Sequence, residues 1–289
     1  MTRFWFGPAG KPITLKTSDI LKAPGFLREI GLNAMEYEAV RGVKISEDKA
    51  RAFGEEAVKN NILLSLHAPY FINLASIKKS TVEASIKRLI ESVQASFWMK
   101  SYIVVFHPGY YKDAPSKREA VEWVVKNLKP VVEYIVENKI ENVWLGPETT
   151  GKTSQIGSVE EVIEISRRLE YVKPVIDWAH LYARHGGEFI KSIDDVLTVL
   201  EKLERELGEI AVKPLHSHFS KIEYGKGGEK VHHNLSEREY GPDFNIVCKA
   251  LCETGVDTVF ISESPVLEQD AIIMKNICIE TCGAKCIVE

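Results

Sequence analysis

The chain has 289 residues, 45% hydrophobic and 27% charged, which suits one large α/β domain with a sizeable core. A net charge of −4 and a pI near 6.1 argue against a protein that binds nucleic acid through bulk positive charge. No apolar run reaches the roughly 18–20 residues needed to cross a bilayer, and the N-terminal MTRFWFGPAGKP lacks a secretory pattern, so the expected location is the cytoplasm.

Short β-rich runs recur along the chain: RFWFG (3–7), AMEYEAV (34–40), ILLSLH (62–67), YIVVFH (102–107), NVWLGPE (142–148), VKPVID (172–177), VKPLHSH (212–218) and TVFISE (258–263). Helix-like stretches lie between most of them. The segment 46–60 is one, and 117–138 carries apolar residues at helical spacing from Val121 to Ile135. Ser46 and Ser158 are the expected caps, the second with Glu161 in a capping-box position. Eight such alternations predict a single (β/α)₈ TIM barrel domain over residues 1–289, with an open doubly wound sheet as the competing architecture. The polar, Gly-rich stretch 221–242 breaks the alternation and reads as a long functional loop. Five cysteines close the chain, Cys248, Cys252, Cys278, Cys282 and Cys286. Their spacing of four favours burial or disulfides over a dedicated metal site.

The ligand-type side chains fall at the ends of the predicted strands. His67, His107, Glu148, Asp177 (with His180 three residues on), His216 and Glu263 close six successive runs. In a barrel these ends form one rim, where barrel active sites lie. Each residue alone has an ordinary explanation as a cap or a structural histidine, and His185 is left as one. Together they crowd carboxylates whose burial costs several kcal/mol each unless cations compensate. Imidazole and carboxylate donors without cysteine suit Zn²⁺, with Mn²⁺ or Fe²⁺ as alternatives, and their number exceeds what one ion uses. Two or three ions are therefore expected.

The strings HAPYFINLAS (67–76), FHPGYY (106–111), GPETTGK (146–152), IDWAH (176–180), HSHFSK (216–221), VHHNL (231–235) and SESP (262–265) resemble, in order and over nearly the whole chain, the endonuclease IV family of apurinic/apyrimidinic endonucleases, within the xylose isomerase-like barrel superfamily. The resemblance implies a zinc-loaded barrel that hydrolyses the phosphodiester 5′ to an abasic site in double-stranded DNA, leaving a 3′ hydroxyl, with hydroxide generated at the ions. It implies that His67, His107 and Glu148 hold one ion. Glu148 then bridges to a second held by Asp177, His216 and Glu263, and His180 joins His232 or His233 at a third. Register counted back from the SK of HSHFSK gives the ligand role to His216 and leaves His218 as a candidate substitute. Glu148 and Glu263 are the expected catalytic carboxylates. Tyr70 and Phe71 match the family's minor-groove probes, and Arg41 and Lys221 are further candidate DNA contacts.

The sequence departs from the family at the third ion, where Lys230 stands in place of an aspartate two residues before His232. The neighbouring Glu229 is the candidate replacement. Lys78, Lys79, Lys112, Lys152, Lys221, Lys226 and Lys230 lie near the rim motifs and offset the acidic balance there. With DNA lying across the rim, a monomer is the simplest expectation, and no membrane is implied. Two other functions fit parts of the pattern. A xylose isomerase-like sugar isomerase or epimerase needs only Glu148, Asp177, His216 and Glu263 around one divalent ion, and a non-catalytic DNA-binding homologue needs no intact cluster.

Overall fold

The computed structural model describes residues 2–140 and 142–288. Eight parallel strands run in chain order: β1 (Phe4–Pro8), β2 (Ala34–Glu38), β3 (Leu63–His67), β4 (Ile103–Phe106), β5 (Trp144–Pro147), β6 (Val175–Asp177), β7 (Leu215–Phe219) and β8 (Thr258–Ser262). β2 to β5 pair in sequence, as do β6 to β8, and β8 pairs with β1. Parallel bridges from Ala9 to Glu36 and from Glu148 to Val175 join the two sets, so the sheet closes on itself as the alternation predicts. All eight predicted strands are present, six of them starting one to three residues later than expected and those at Ala34 and Thr258 starting where expected. Before β6 and β7 the trimming falls at Pro174 and Pro214, which have no N–H to give a ladder.

Alternation on the strands sorts the core into two layers. Phe4, Phe6 and Phe260 face the surrounding helices, with the Phe6 and Phe260 rings stacked at 5.4 Å. Ala34, Val259 and Ile261, and Ile103, Val105 and Val175, form small clusters of their own from the opposite strand faces. The helix Lys117–Glu137 buries the predicted apolar stripe. Ser158 and Glu161 complete the expected capping box. Ser46 sits at the N-cap of Glu47–Lys59 without a side-chain cap bond. Lys49 has no acceptor with which to complete a box, and Glu47 and Asp48 serve the first turn instead.

The second half of the chain brings one correction and one expectation in agreement. Much of 221–242 is not loop but an antiparallel hairpin, Lys221–Gly225 with Gly228–His233. The four cysteines of the last two long helices, Phe244–Thr254 and Glu268–Cys282, pair as Cys248–Cys278 and Cys252–Cys282. Cys286 remains a buried free thiol. No helix among the described residues is long and apolar enough to cross a membrane.

Candidate metal centre

The carboxyl ends of the strands bring the expected residues together. His67 ends β3, and its Nδ1–H donates to the Ala68 carbonyl (2.8 Å), so Nε2 is turned to Glu148 Oε2 at 3.2 Å. His107 Nε2 reaches the same oxygen at 2.9 Å. Donor atoms about 2 Å from a tetrahedral zinc lie roughly 3.3 Å apart, so these three are spaced as co-ligands are. The other Glu148 oxygen, Oε1, lies 2.9 Å from His218 Nδ1, which is also 3.2 Å from Glu263 Oε1.

Asp177 divides its oxygens between two tasks. Oδ1 accepts from His180 N (2.7 Å) and caps the helix Trp178–Arg184, the ordinary use of an aspartate at a strand end. Oδ2 is buried with no hydrogen-bond partner among the described residues, so a polar atom is aimed into the cluster without a match. His180 Nδ1–H donates to the Thr149 carbonyl (2.9 Å), leaving Nε2 to face Glu229 Oε2 at 3.5 Å.

Glu229 is there because of the hairpin. Tyr224 pairs with Glu229 and Glu223 with Val231, so Lys230 is the extra residue of a β-bulge. The bulge resets the alternation, and Glu229 and His232, three apart, turn to the same face. Lys230 points away, to Glu223 at 2.9 Å. Gly151 makes the room. A Cβ there would stand 2.6 Å from Glu229 Cβ and 3.1 Å from His180 Cδ2. The bulge thus turns Glu229, the candidate replacement for the family's aspartate, toward His180 and the same face as His232.

The structure departs from the expected ligand at His216 and decides the open choice between His232 and His233 in favour of His232. His218, not His216, reaches Glu148 and Glu263. Barrel register explains it: His218 lies opposite Asp177, whereas His216 lies opposite Val175, one layer deeper. There His216 contacts Glu36 Oε2 (3.1 Å) and the Tyr102 hydroxyl (2.6 Å). His233 also leaves the cluster. It hydrogen-bonds Glu237 (2.9 Å) and stacks on Tyr240 at 3.6 Å, pinning the segment after the hairpin.

Donor atoms fall into sets in which all members lie within 4.8 Å of one another: His67, His107 and Glu148; Glu148, Asp177, His218 and Glu263; and His180, His232 and Glu263. Glu148 and Glu263 belong to two sets each, as bridging carboxylates do. Glu36, His216 and His218 form a further group beneath them. The buried acids and histidines perturb one another strongly. Burial, with repulsion from Glu263 and Glu148, raises Asp177 to about 8. Burial, with Glu36 and Glu263, does the same for Glu38. Burial disfavours a charged His67, yet Glu148 and Glu38 override it and hold that histidine at about 10. All three are pushed toward their protonated forms, the crowding that a shared cation would relieve, and the orphaned Asp177 oxygen and the imidazole–carboxylate donor set fit zinc, manganese or iron.

The centre opens to solvent through a cavity of about 310 Å³ lined by, among others, Tyr70, Tyr110, Lys152, Glu229, His232 and Glu263. A neighbouring cleft shares Tyr110 and continues past Lys78 and Lys112. Tyr70 and Phe71, 49% and 60% exposed, project at the rim although both are large apolar side chains. Arg41 is exposed in the turn after β2, and Lys221 is tied to the Glu237 carbonyl (2.6 Å). Sequence reasoning missed Glu36 and Glu38. Two glutamates two apart on a strand share a face, the same signal that singled out His216 and His218.

A closed eight-stranded barrel with a histidine–carboxylate rim defines the class of protein, and residues 25–277 match the xylose isomerase-like TIM barrel family, to which the chain belongs. Over 269 residues it is 39% identical to an uncharacterised protein of Methanocaldococcus jannaschii, covering 93% of this chain and 94% of that one. It is 29% identical over 231 residues to the probable endonuclease 4 of Malacoplasma penetrans, covering 75% and 76% of the two chains. Among solved structures, endonuclease IV from Thermus thermophilus has a TM-score of 0.69 at 19% identity, covering 96% of this chain and 98% of that one. A D-tagatose 3-epimerase-like protein also has a TM-score of 0.69, at 20% identity, covering 92% and 97%. At such identities the two structures speak for the fold alone.

Proposed function

We propose that the chain is a metal-dependent DNA repair endonuclease that hydrolyses the phosphodiester on the 5′ side of abasic sites in duplex DNA and leaves a 3′ hydroxyl. The observation that carries this reading is the set of three donor groups sharing Glu148 and Glu263. A sugar isomerase or epimerase needs one four-donor set, and His67, His107, His180, Glu229 and His232 would then be surplus. Similarity to proteins named probable endonuclease 4 supports the same choice.

In this reading zinc would be held by His67, His107 and Glu148, by Glu148, Asp177, His218 and Glu263, and by His180, His232 and Glu263 with Glu229 beside them. When bound, such ions neutralise charge on the phosphate oxygens and lower the pKa of water. The side chains divide the remaining work. Glu263 lines the open cavity while Glu148 lies buried behind it, so Glu263 is the carboxylate placed to orient the attacking water. Tyr70 and Phe71 fill the gap beside the missing base, where unstacking costs a few kcal/mol and favours a site already lacking a base. Lys152, Lys112 and Lys78 follow the cleft and meet the backbone phosphates. Arg41 is a further contact from the next rim turn.

A second reading has its own observation in favour. Glu148, Asp177, His218 and Glu263 by themselves make a mononuclear site, and an epimerase-like structure shares the fold. A duplex carrying one tetrahydrofuran abasic analogue separates the two, because the analogue cannot undergo β-elimination. Endonuclease activity gives damage-specific nicking whose 3′ end a polymerase extends directly. Absence of nicking by metal-loaded protein, with turnover of a ketose, would establish the epimerase instead.

A further inference from the structure

Beneath the rim a chain of polar groups, Tyr102, His216 and Glu36, leads up to His218 and Glu148 of the second donor set. The Tyr102 hydroxyl lies 2.6 Å from His216 Nδ1, and His216 Nε2 lies 3.1 Å from Glu36 Oε2. Glu36 Oε1 lies 2.9 Å from His218 Nε2, and His218 Nδ1 lies 2.9 Å from Glu148 Oε1. Glu36, His216 and His218 are fully buried. The contact from Glu36 to His218 is close, but the ring N–H is turned off the oxygen, so both atoms lack a formal hydrogen bond. Two buried polar atoms 2.9 Å apart with nothing else to satisfy them mark a bond waiting on ring orientation.

We infer that Glu36, braced by His216 and Tyr102, is a positioning residue that holds the proton of His218 on Nε2 and so presents the Nδ1 lone pair to an ion shared with Glu148, Asp177 and Glu263. In the ion-free protein Glu148 Oε1 accepts from His218 Nδ1 (2.9 Å), and that is the proton an ion would displace. A carboxylate only accepts, so both histidines direct an N–H at Glu36, His216 from Nε2 and His218 from Nε2. His216 Nδ1 is then an acceptor, and the Tyr102 hydroxyl is its donor. Once the Nδ1 proton is displaced, the His218 lone pair faces oxygens of Glu148 and Glu263 at 2.9 and 3.2 Å, an arrangement that repels unless a cation sits between them. Carboxylate partners behind metal-ligating histidines fix tautomer and ring direction in this manner, and their loss costs about 10- to 100-fold in metal affinity. Lys173, with Nζ 5.6 Å from the centre of the Tyr102 ring, closes the chain at its far end.

The inference rests on the metal reading of the rim and not on the substrate. Its test is long-range ¹H–¹⁵N NMR of the zinc-loaded protein labelled at histidine, together with cobalt titration of wild type and Glu36→Gln. His218 protonated on Nε2 is expected in the wild type. In Glu36→Gln the amide faces the two rings with a donor, so one cobalt ion should bind about 10- to 100-fold more weakly. The cobalt absorption of that site should change while the remaining ions bind as before. Tyr102→Phe serves if the first variant does not fold. It should leave His216 free to change tautomer, seen as a shifted Nδ1 resonance, with only a few-fold loss of cobalt affinity. Cobalt uptake with His218 protonated on Nδ1 overturns this inference and leaves the metal centre standing. Wild-type protein that takes up no cobalt overturns both.

Discussion

Raising the pH should tighten metal binding steeply, by at least two powers of ten per unit between pH 6 and 8. Asp177, pushed up to about 8 by burial and by Glu263 and Glu148, carries a proton below that pH which an ion has to displace. His67, held at about 10 against its burial by Glu148 and Glu38, carries a second. His218 and His180, both raised well above the ordinary histidine value despite burial by the surrounding carboxylates, add up to two more. Each proton released contributes a factor of about ten per pH unit. The logarithm of total affinity should therefore rise with a slope between two and four below pH 8. It should lose one from that slope above pH 8, where Asp177 is already ionised. Calorimetric titration against a chelator, in buffers of different ionisation enthalpy, counts the same protons independently. A slope of one or less would refute the reasoning, because the acids and histidines would then already be in their ligand forms.

The same shifts set the stability of the metal-free fold. The stability contributed by Asp177 and Glu38, both raised, is complete below about pH 4 and is lost as pH rises through 8. That of His67 is complete below about 6.5 and is lost toward 10. Denaturant midpoints of chelator-treated protein should fall from neutral to alkaline pH, and zinc should restore them. Replacing Tyr70 or Phe71 by Ala should weaken binding to abasic duplex by about 1–3 kcal/mol, roughly 5- to 150-fold, with thermal stability unchanged because both side chains are largely exposed. Fluorescence anisotropy with abasic and intact duplexes reads the effect, and equal losses on both would contradict a wedge. Deleting Lys230 should be tolerated. The bulge disappears, Glu229 and His232 become two apart and still share a face, and metal stoichiometry by plasma mass spectrometry should not change. Phe260→Ala, in a site packed by Phe4, Phe6 and Phe244, should cost about 3–5 kcal/mol in denaturant unfolding and leave metal content intact.

What the sequence revealed was set by local rules, and what it hid was set by register. Each strand was visible as a β-branched or aromatic run. Their carboxyl ends were visible because a histidine or acid closed so many of them. Depth along the barrel was not visible. His216 and His218 share a face of β7, and only the pairing of His218 with Asp177 shows which one reaches the rim. Counting from the SK motif chose His216 because it follows the family's spacing and carries no information about the layer. Lys230 misled for a related reason. A bulge is one unpaired residue in a ladder, and its composition does not announce it, so nothing in the sequence showed that Glu229 would turn to face His180. Glu36 and Glu38 were legible in principle, since AMEYEAV places two acids on one strand face. Their significance comes from burial against histidines of a strand far away in sequence. The hairpin 221–233 read as loop because its exposed side chains are polar and Gly225, Gly227 and Gly228 interrupt any period.

The central claim is that the rim is a multinuclear metal centre in which His218 is a ligand. Anomalous diffraction from crystals of protein purified without chelator, collected on both sides of the zinc edge, tests it most directly. The account predicts separate peaks among His67, His107 and Glu148 and among Glu148, Asp177, His218 and Glu263, with a third beside His180, Glu229 and His232. A rim without peaks, or a single ion bound through His216 with His218 turned away, would contradict it.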